Sequence, residues 1–226
     1  MEQNTTLILE TSTPCASLAV AGVGGYFEQR TFTSDRSHNA LLFGPLEELL
    51  GDAPSRQPEL VLVGSGPGSY SGTRVGIAAA QGTAIAAGCP AVAVPSLLAV
   101  PSAENGAACL VIGDARRGSF WTAGVEGFQM VSAPELTDAE GMVGKVSEAI
   151  ASGWPVVSFE DPARFPLAAE LLASVRQEFP DAWRLWQAWL KNPEEIKAAW
   201  MSAPPQPIYL KPPHITAAKR SWLIPQ

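Results

Sequence analysis

The chain has 226 residues, 46% of them hydrophobic and 16% charged, which excludes disorder and gives material for one large domain or two small ones. A formal net charge of −7 and a pI near 4.9 argue against unaided binding to a polyphosphate backbone. Three scattered cysteines, Cys15, Cys89 and Cys109, form no CxxC pair, and the polar start MEQNTT reads as no signal peptide, so no disulfide framework or zinc knuckle is expected and the expected compartment is the cytoplasm.

TLILE (6–10), SLAVAG (17–22) and YFEQRTFT (26–33) are short, β-branched or alternating and separated by turn residues, which predicts a three-strand meander. SDRSHNALLFGPLEELL follows, with Leu42, Leu46 and Leu49 at helical spacing and Ser34 or Ser37 available as N-cap. Pro45 removes an amide inside that run, which predicts a kink or two short helices. LVLVG (60–64) and AVAV (91–94) read as strands buried on both faces. Between them lies GPGSYSGTRVGIAAAQGTAIAAG (66–88), a glycine-rich turn running into a helix. The uncharged stretch Val75–Val100 is too rich in alanine and glycine, and too broken by Pro90 and Pro95, for a membrane span.

The same order returns after a boundary near Ser102–Ala108. CLVIG (109–113), SFWTAGV (119–125) and a weaker FQMVS (128–132) predict a second meander. TDAEGMVGKVSEAIAS reads as a helix capped by Thr137 with Glu140 in capping-box position. VVSF (156–159) reads as a buried strand and PLAAELLASVRQEF (166–179) as a further helix. Two β-β-β-α-β-α halves imply an internal duplication, residues 1–105 and 106–226. DAWRLWQAWL places Trp183, Trp186 and Leu190 on one face of a core-facing amphipathic helix, and SAPPQPIYLKPPH is proline-dense and extended. The basic residues Arg116, Arg117, Lys211, Lys219 and Arg220 read as solvated surface charge.

Catalytic equipment is sparse. Gly72 is followed by Thr73-Arg74 where a Walker loop needs lysine, and Ser71 stands where a dinucleotide fingerprint needs its third glycine. The centre of GSYSG is Tyr70, not the serine of a nucleophile elbow. With only His38 and His214, neither a serine triad nor a metal site assembles readily. The helix itself is more informative. Gly72, Gly76, Ala80, Thr83 and Ala87 recur at steps of three and four, and interior glycines each cost a helix about 1 kcal/mol. Such a face gains from close approach of another backbone, either this protein's own sheet and first helix or a partner's helix. Composition does not separate the two.

ILETST (8–13), SHNALL (37–42), GSGPGSYSGTRVGIAAAQGTA (64–84), VPSLLA (94–99), DARRGSFW (114–121) and the closing PIYLK (207–211) occur in the order of one family. Over residues 6–121 above all, the chain resembles the TsaB (YeaZ) family of bacterial tRNA threonylcarbamoyladenosine biosynthesis proteins. The resemblance implies an α/β fold of the actin, sugar-kinase and Hsp70 type (ribonuclease H-like), in two lobes. It also implies that Glu10, Thr11, Ser12 and Thr13, with Gly66, Gly68 and Ser69, are a vestigial nucleotide loop. Glutamate where the family more often has aspartate, and no glycine in the turn, argue against autonomous ATP hydrolysis.

TsaD, the family's catalytic paralogue, carries a metal-binding histidine pair on its first helix, where this chain offers only His38. The resemblance thus implies a non-catalytic scaffold with no intrinsic cofactor or metal. It would pair with a TsaD-like subunit, or with a second copy in its absence, and work alongside a TsaE-like ATPase. Transfer RNA would be met only through that complex, ATP or ADP at its interface, and no membrane. The implied interface is His38, Leu42, Pro45, Leu46, Leu49, Gly72, Thr73, Arg74, Gly76, Ile77, Ala80, Thr83 and Ala87. A small-molecule kinase or ATPase of the same superfamily is the alternative, and a metallopeptidase-like protein a weaker one.

Overall fold

The computed structural model describes residues 5–34, 38–51, 57–104 and 106–211. Ser37, His214, Lys219, Arg220 and the His38 side chain lie outside the described residues. The first meander forms as its alternation predicts: β1 (Thr6–Glu10), β2 (Cys15–Ala21) and β3 (Phe27–Thr33) pair antiparallel. The apolar runs β4 (Leu60–Gly64) and β5 (Ala91–Val94) add in parallel beside β1, giving the order β3-β2-β1-β4-β5. Period-two alternation sorts this sheet's side chains onto two covered faces. Leu7, Leu9, Leu18, Val20, Val61 and Val63 point to one core, and Ile8, Ala19, Ala21 and Leu62 to another.

The second half repeats the design with β6 (Ala108–Asp114), β7 (Phe120–Glu126), β8 (Gln129–Thr137), β9 (Val156–Ser158) and β10 (Val175–Gln177), in the order β10-β9-β6-β7-β8. Strand for strand this is the first sheet's order, so the expected two-lobed, ribonuclease H-like α/β fold is the fold observed. Two expectations inside the second half need correction. Residues 166–179 do not form one helix: α6 is the single turn Ala169–Leu172, and Val175–Gln177 leaves helical geometry to pair in parallel with β9. Sheet completion there outweighs local helical periodicity. The weak 128–132 strand is instead nine residues long at the sheet edge, where Pro134 costs no ladder bond.

In the first lobe the leucine-bearing run divides into α1 (His38–Leu41) and α2 (Phe43–Leu50). The break at Leu42 is where Pro45 would have had to donate to the Leu41 carbonyl. The Ser34 amide donates to the Pro14 carbonyl at 2.8 Å. The long helix α3 (Tyr70–Ala87) is capped by Ser69, whose Oγ accepts from the Gly72 amide, and ends at Gly88 with a left-handed φ of 68°. A one-turn α4 (Pro101–Glu104) leads to the second sheet. The next helix, α5 (Ala139–Ala151), is capped by Asp138 rather than Thr137, one residue later than the capping box predicts.

The chain then doubles back. Helices α7 (Ala182–Lys191) and α8 (Glu194–Met201) follow the second sheet in sequence but pack against β1, β2, β4 and β5 of the first. The α7 face that reaches the core is Ala182, Leu185 and Ala188, not Trp183, Trp186 and Leu190 as the spacing suggests. Alanines let the helix sit close to the sheet, while Trp186 and Trp189 flank the contact and Trp183 packs edge-on against Phe27 at 4.9 Å. One cluster runs through both lobes, from Ile8 and Leu62 through Leu185 to Val111 and Val157. Each such fully buried aliphatic contributes about 1.5–3 kcal/mol, so the lobes share one continuous core. No helix among the described residues is long and apolar enough to cross a membrane.

Candidate functional site

The turn after β1 and the glycine loop before α3 come together at the first lobe's edge. Ser69 donates its amide to the Ser12 carbonyl at 2.6 Å, and a Cβ on Gly68 would stand 2.3 Å from that same carbonyl oxygen. Glycine at 68 is thus what lets the loop close on the turn. Several amides of the two loops are engaged within the protein: Ser12 by Glu10 Oε1 (2.7 Å), Gly66 by Ser96 Oγ (2.9 Å) and Gly72 by Ser69 Oγ (3.2 Å). Glu10 is fully buried, and burial raises its carboxyl pKa above the ordinary carboxylate value. Its Oε2 and the nearby Ser12 Oγ have no hydrogen-bond partner, and a Cβ on Gly64 would meet that Oε2 at 1.9 Å. The loop residues Glu10, Thr11, Ser12, Thr13, Gly66, Gly68 and Ser69 therefore gather as expected, but around one another.

The small-residue face of α3 also turns inward. Thr11 Oγ1 donates to the Gly72 carbonyl at 2.8 Å, and a Cβ on Gly76 would lie 2.1 Å from that hydroxyl oxygen. Gly72, Thr73, Gly76, Ile77 and Ala80 are buried, as are Leu42, Leu46 and Leu49. These eight positions pack within the protein, and the group that comes close to Gly76 is the Thr11 side chain of its own turn. Pro45, Thr83 and Ala87 are half-buried at the rim of the same packing, and Arg74 is exposed.

What α3 shows to solvent is the opposite stripe. Ala78, Gly82, Ile85 and Ala86 are exposed, Ile85 at 82%, and a Cβ on Gly82 would meet nothing. α1 lies beside α3, and Leu41 and Phe43 at its end are 43% and 58% exposed. The clue was in the sequence: Ala78, Gly82 and Ile85, at i, i+4 and i+7, hold helical spacing as well as Gly72, Gly76 and Ala80 do at i, i+4 and i+8.

Between the lobes lies a cleft of about 760 Å³. The loop Gly68–Tyr70 and Thr13 line it from the first lobe, and Asp114, Arg116, Trp121, Glu160 and Arg164 from the second. Asp114 donates its amide to Glu160 Oε2 at 2.6 Å, and burial raises the Glu160 pKa. Arg116 pairs with Asp114 at 2.9 Å and, like Arg117, adopts a left-handed φ (66° and 59°). Among the described residues no three His, Cys, Asp or Glu side chains gather to hold an ion.

Comparison with known proteins adds the following. The family described as "TsaD: tRNA N6-adenosine threonylcarbamoyltransferase" matches residues 31–169. A curated relative from Haemophilus influenzae, "tRNA threonylcarbamoyladenosine biosynthesis protein TsaB", is 32% identical over 108 residues, 46% of this chain and 44% of that protein. The chain thus spans less than half the length of that relative in the match. Two solved structures from Pseudomonas aeruginosa share the fold over 92% of this chain and all of theirs. One is described as YeaZ (TM-score 0.68, 22% identity) and the other as an uncharacterized protein with similarity to peptidase YEAZ (0.67, 21%).

Proposed function

This chain belongs to the family described as "TsaD: tRNA N6-adenosine threonylcarbamoyltransferase", which matches residues 31–169, and we propose that within it the chain is a TsaB (YeaZ)-like, non-catalytic scaffold in formation of N6-threonylcarbamoyladenosine on tRNA. The observation that carries the reading is the pairing of a self-occupied nucleotide loop with an unpartnered apolar stripe on α3. A helix of a TsaD-like catalytic subunit would lie along Ala78, Gly82 and Ile85, with Leu41 and Phe43 at one end. Small residues allow close approach there, and the exposed apolars supply the area that association needs. Of the expected set, Arg74 lies on that exposed side of α3.

The scaffold acts by population shift: it favours whichever arrangement of the catalytic subunit it binds more tightly. With no such subunit present, the same stripe pairs two copies of this chain symmetrically. A TsaE-like ATPase and any ATP or ADP belong to the assembled complex in this reading, which the inward-turned amides of Ser12 and Gly66 support. Size exclusion with light scattering, mixing the chain with the TsaD-like subunit of the same organism, tests the proposal. A one-to-one heterodimer is expected; two separate species would overturn it. The kinase or ATPase alternative rests on the cleft, and predicts micromolar ATP–magnesium binding with turnover in calorimetry. The scaffold reading predicts neither.

A further inference from the structure

The last described stretch, residues 203–211, runs from the first lobe to the second. Pro204, Pro205 and Pro207 have no amide to donate, which leaves this stretch few main-chain donors. Pro205 is buried and Leu210 packs against the shared core, and a short set of hydrogen bonds holds the stretch in place. Gln81 Nε2 donates to the Pro205 carbonyl at 3.3 Å, and the Ile208 amide donates to the Ser65 carbonyl at 2.9 Å. Arg74 donates from Nε and Nη2 to the Tyr209 hydroxyl at 2.9 and 2.7 Å, its guanidinium 3.8 Å above the Tyr70 ring. At the far end Lys211 Nζ donates to the Arg116 carbonyl at 2.9 Å, in the left-handed turn of the second lobe.

We propose that residues 205–211 are a movable strap forming one wall of the interlobe cleft, latched to α3 by Arg74 and to the second lobe by Lys211. Ile208, Tyr209, Leu210 and Lys211 all line the cleft, so releasing them widens it and bares its apolar wall at Trp121 and Phe159. Three features make this segment the one to move. Among the described residues its backbone-to-backbone hydrogen bond is that of the Ile208 amide to Ser65, its latch tyrosine is 51% exposed, and the receiving turn holds Arg116 and Arg117 in left-handed backbone. The latch also sits in register with the exposed stripe: Arg74, Ala78 and Ile85 share one side of α3, and Gln81 borders it. Events on that face therefore reach the cleft through the strap. The inference stands whether or not a partner uses the face.

Hydrogen exchange on the full chain tests it, comparing wild type with Arg74→Ala and Tyr209→Phe, the second removing only the accepting hydroxyl. The Ile208 amide is expected to be protected in wild type and to exchange at least tenfold faster in both variants, with α3 and β4 amides unchanged. Binding of the apolar dye bis-ANS is expected to rise at least twofold at unchanged circular dichroism. Three results would each overturn the proposal: an unprotected Ile208 amide in wild type, equal protection in all three proteins, or β4 amides loosening in parallel with Ile208. Should Arg74→Ala fail to fold, Tyr209→Phe carries the comparison alone.

Discussion

Glu10 sits on the first strand with one carboxylate oxygen bound to the Ser12 amide and the other bound to nothing. Its pKa is raised by burial, so between the ordinary value of 4.5 and the raised one the folded state holds a proton that the unfolded chain releases. Stability from the neutral carboxyl is then fully present below about pH 4.5 and lost as pH rises through the raised value. Glu10→Gln, near-isosteric and uncharged at every pH, should flatten the fall in urea midpoint across that window; an unchanged slope would mean another group titrates. Gly76→Ala brings a Cβ to 2.1 Å from Thr11 Oγ1 and should cost about 1–3 kcal/mol, read as a fall in thermal midpoint with no change in helicity. Cys109 is buried, its thiol pushed up to about 12, whereas Cys15 and Cys89 are partly exposed. A thiol reagent at neutral pH should therefore label at most two cysteines until urea releases the third.

At the scale of elements, β1, β2, β4 and β6 were legible because each is a short apolar run whose neighbours leave it no other use. The division of α1 from α2 was legible too, from the missing amide of Pro45. What failed had a tertiary cause. Residues 175–177 look helical locally and become a strand because β9 has a free edge to fill. α7 turns its alanines inward because the sheet below it leaves no depth for indole rings. The small-residue face of α3 was seen correctly as a close-approach surface, and its neighbour was open between an internal and an external backbone. Spacing could not tell the two faces apart, since both carry small residues at helical intervals; the Thr11 side chain is what lies against Gly72 and Gly76. Ile85→Arg follows as the clean probe of the outer face: at 82% exposure it should change stability by less than about 0.5 kcal/mol.

Over the whole molecule, two copies of one topology enclose a shared core, and the cleft between them is where a protein of this fold would present a ligand. Here the loop that would face a phosphate is closed on itself, and the tail crosses the mouth. The surface left over is the outer stripe of α3, which is why the account centres on association. The most direct measurement is the affinity of this chain for the TsaD-like subunit, by calorimetry, for wild type and Ile85→Arg. The account predicts at least a hundredfold loss for the variant with its thermal midpoint within a few degrees of wild type. Equal affinities would contradict it and move the partner surface elsewhere on the chain.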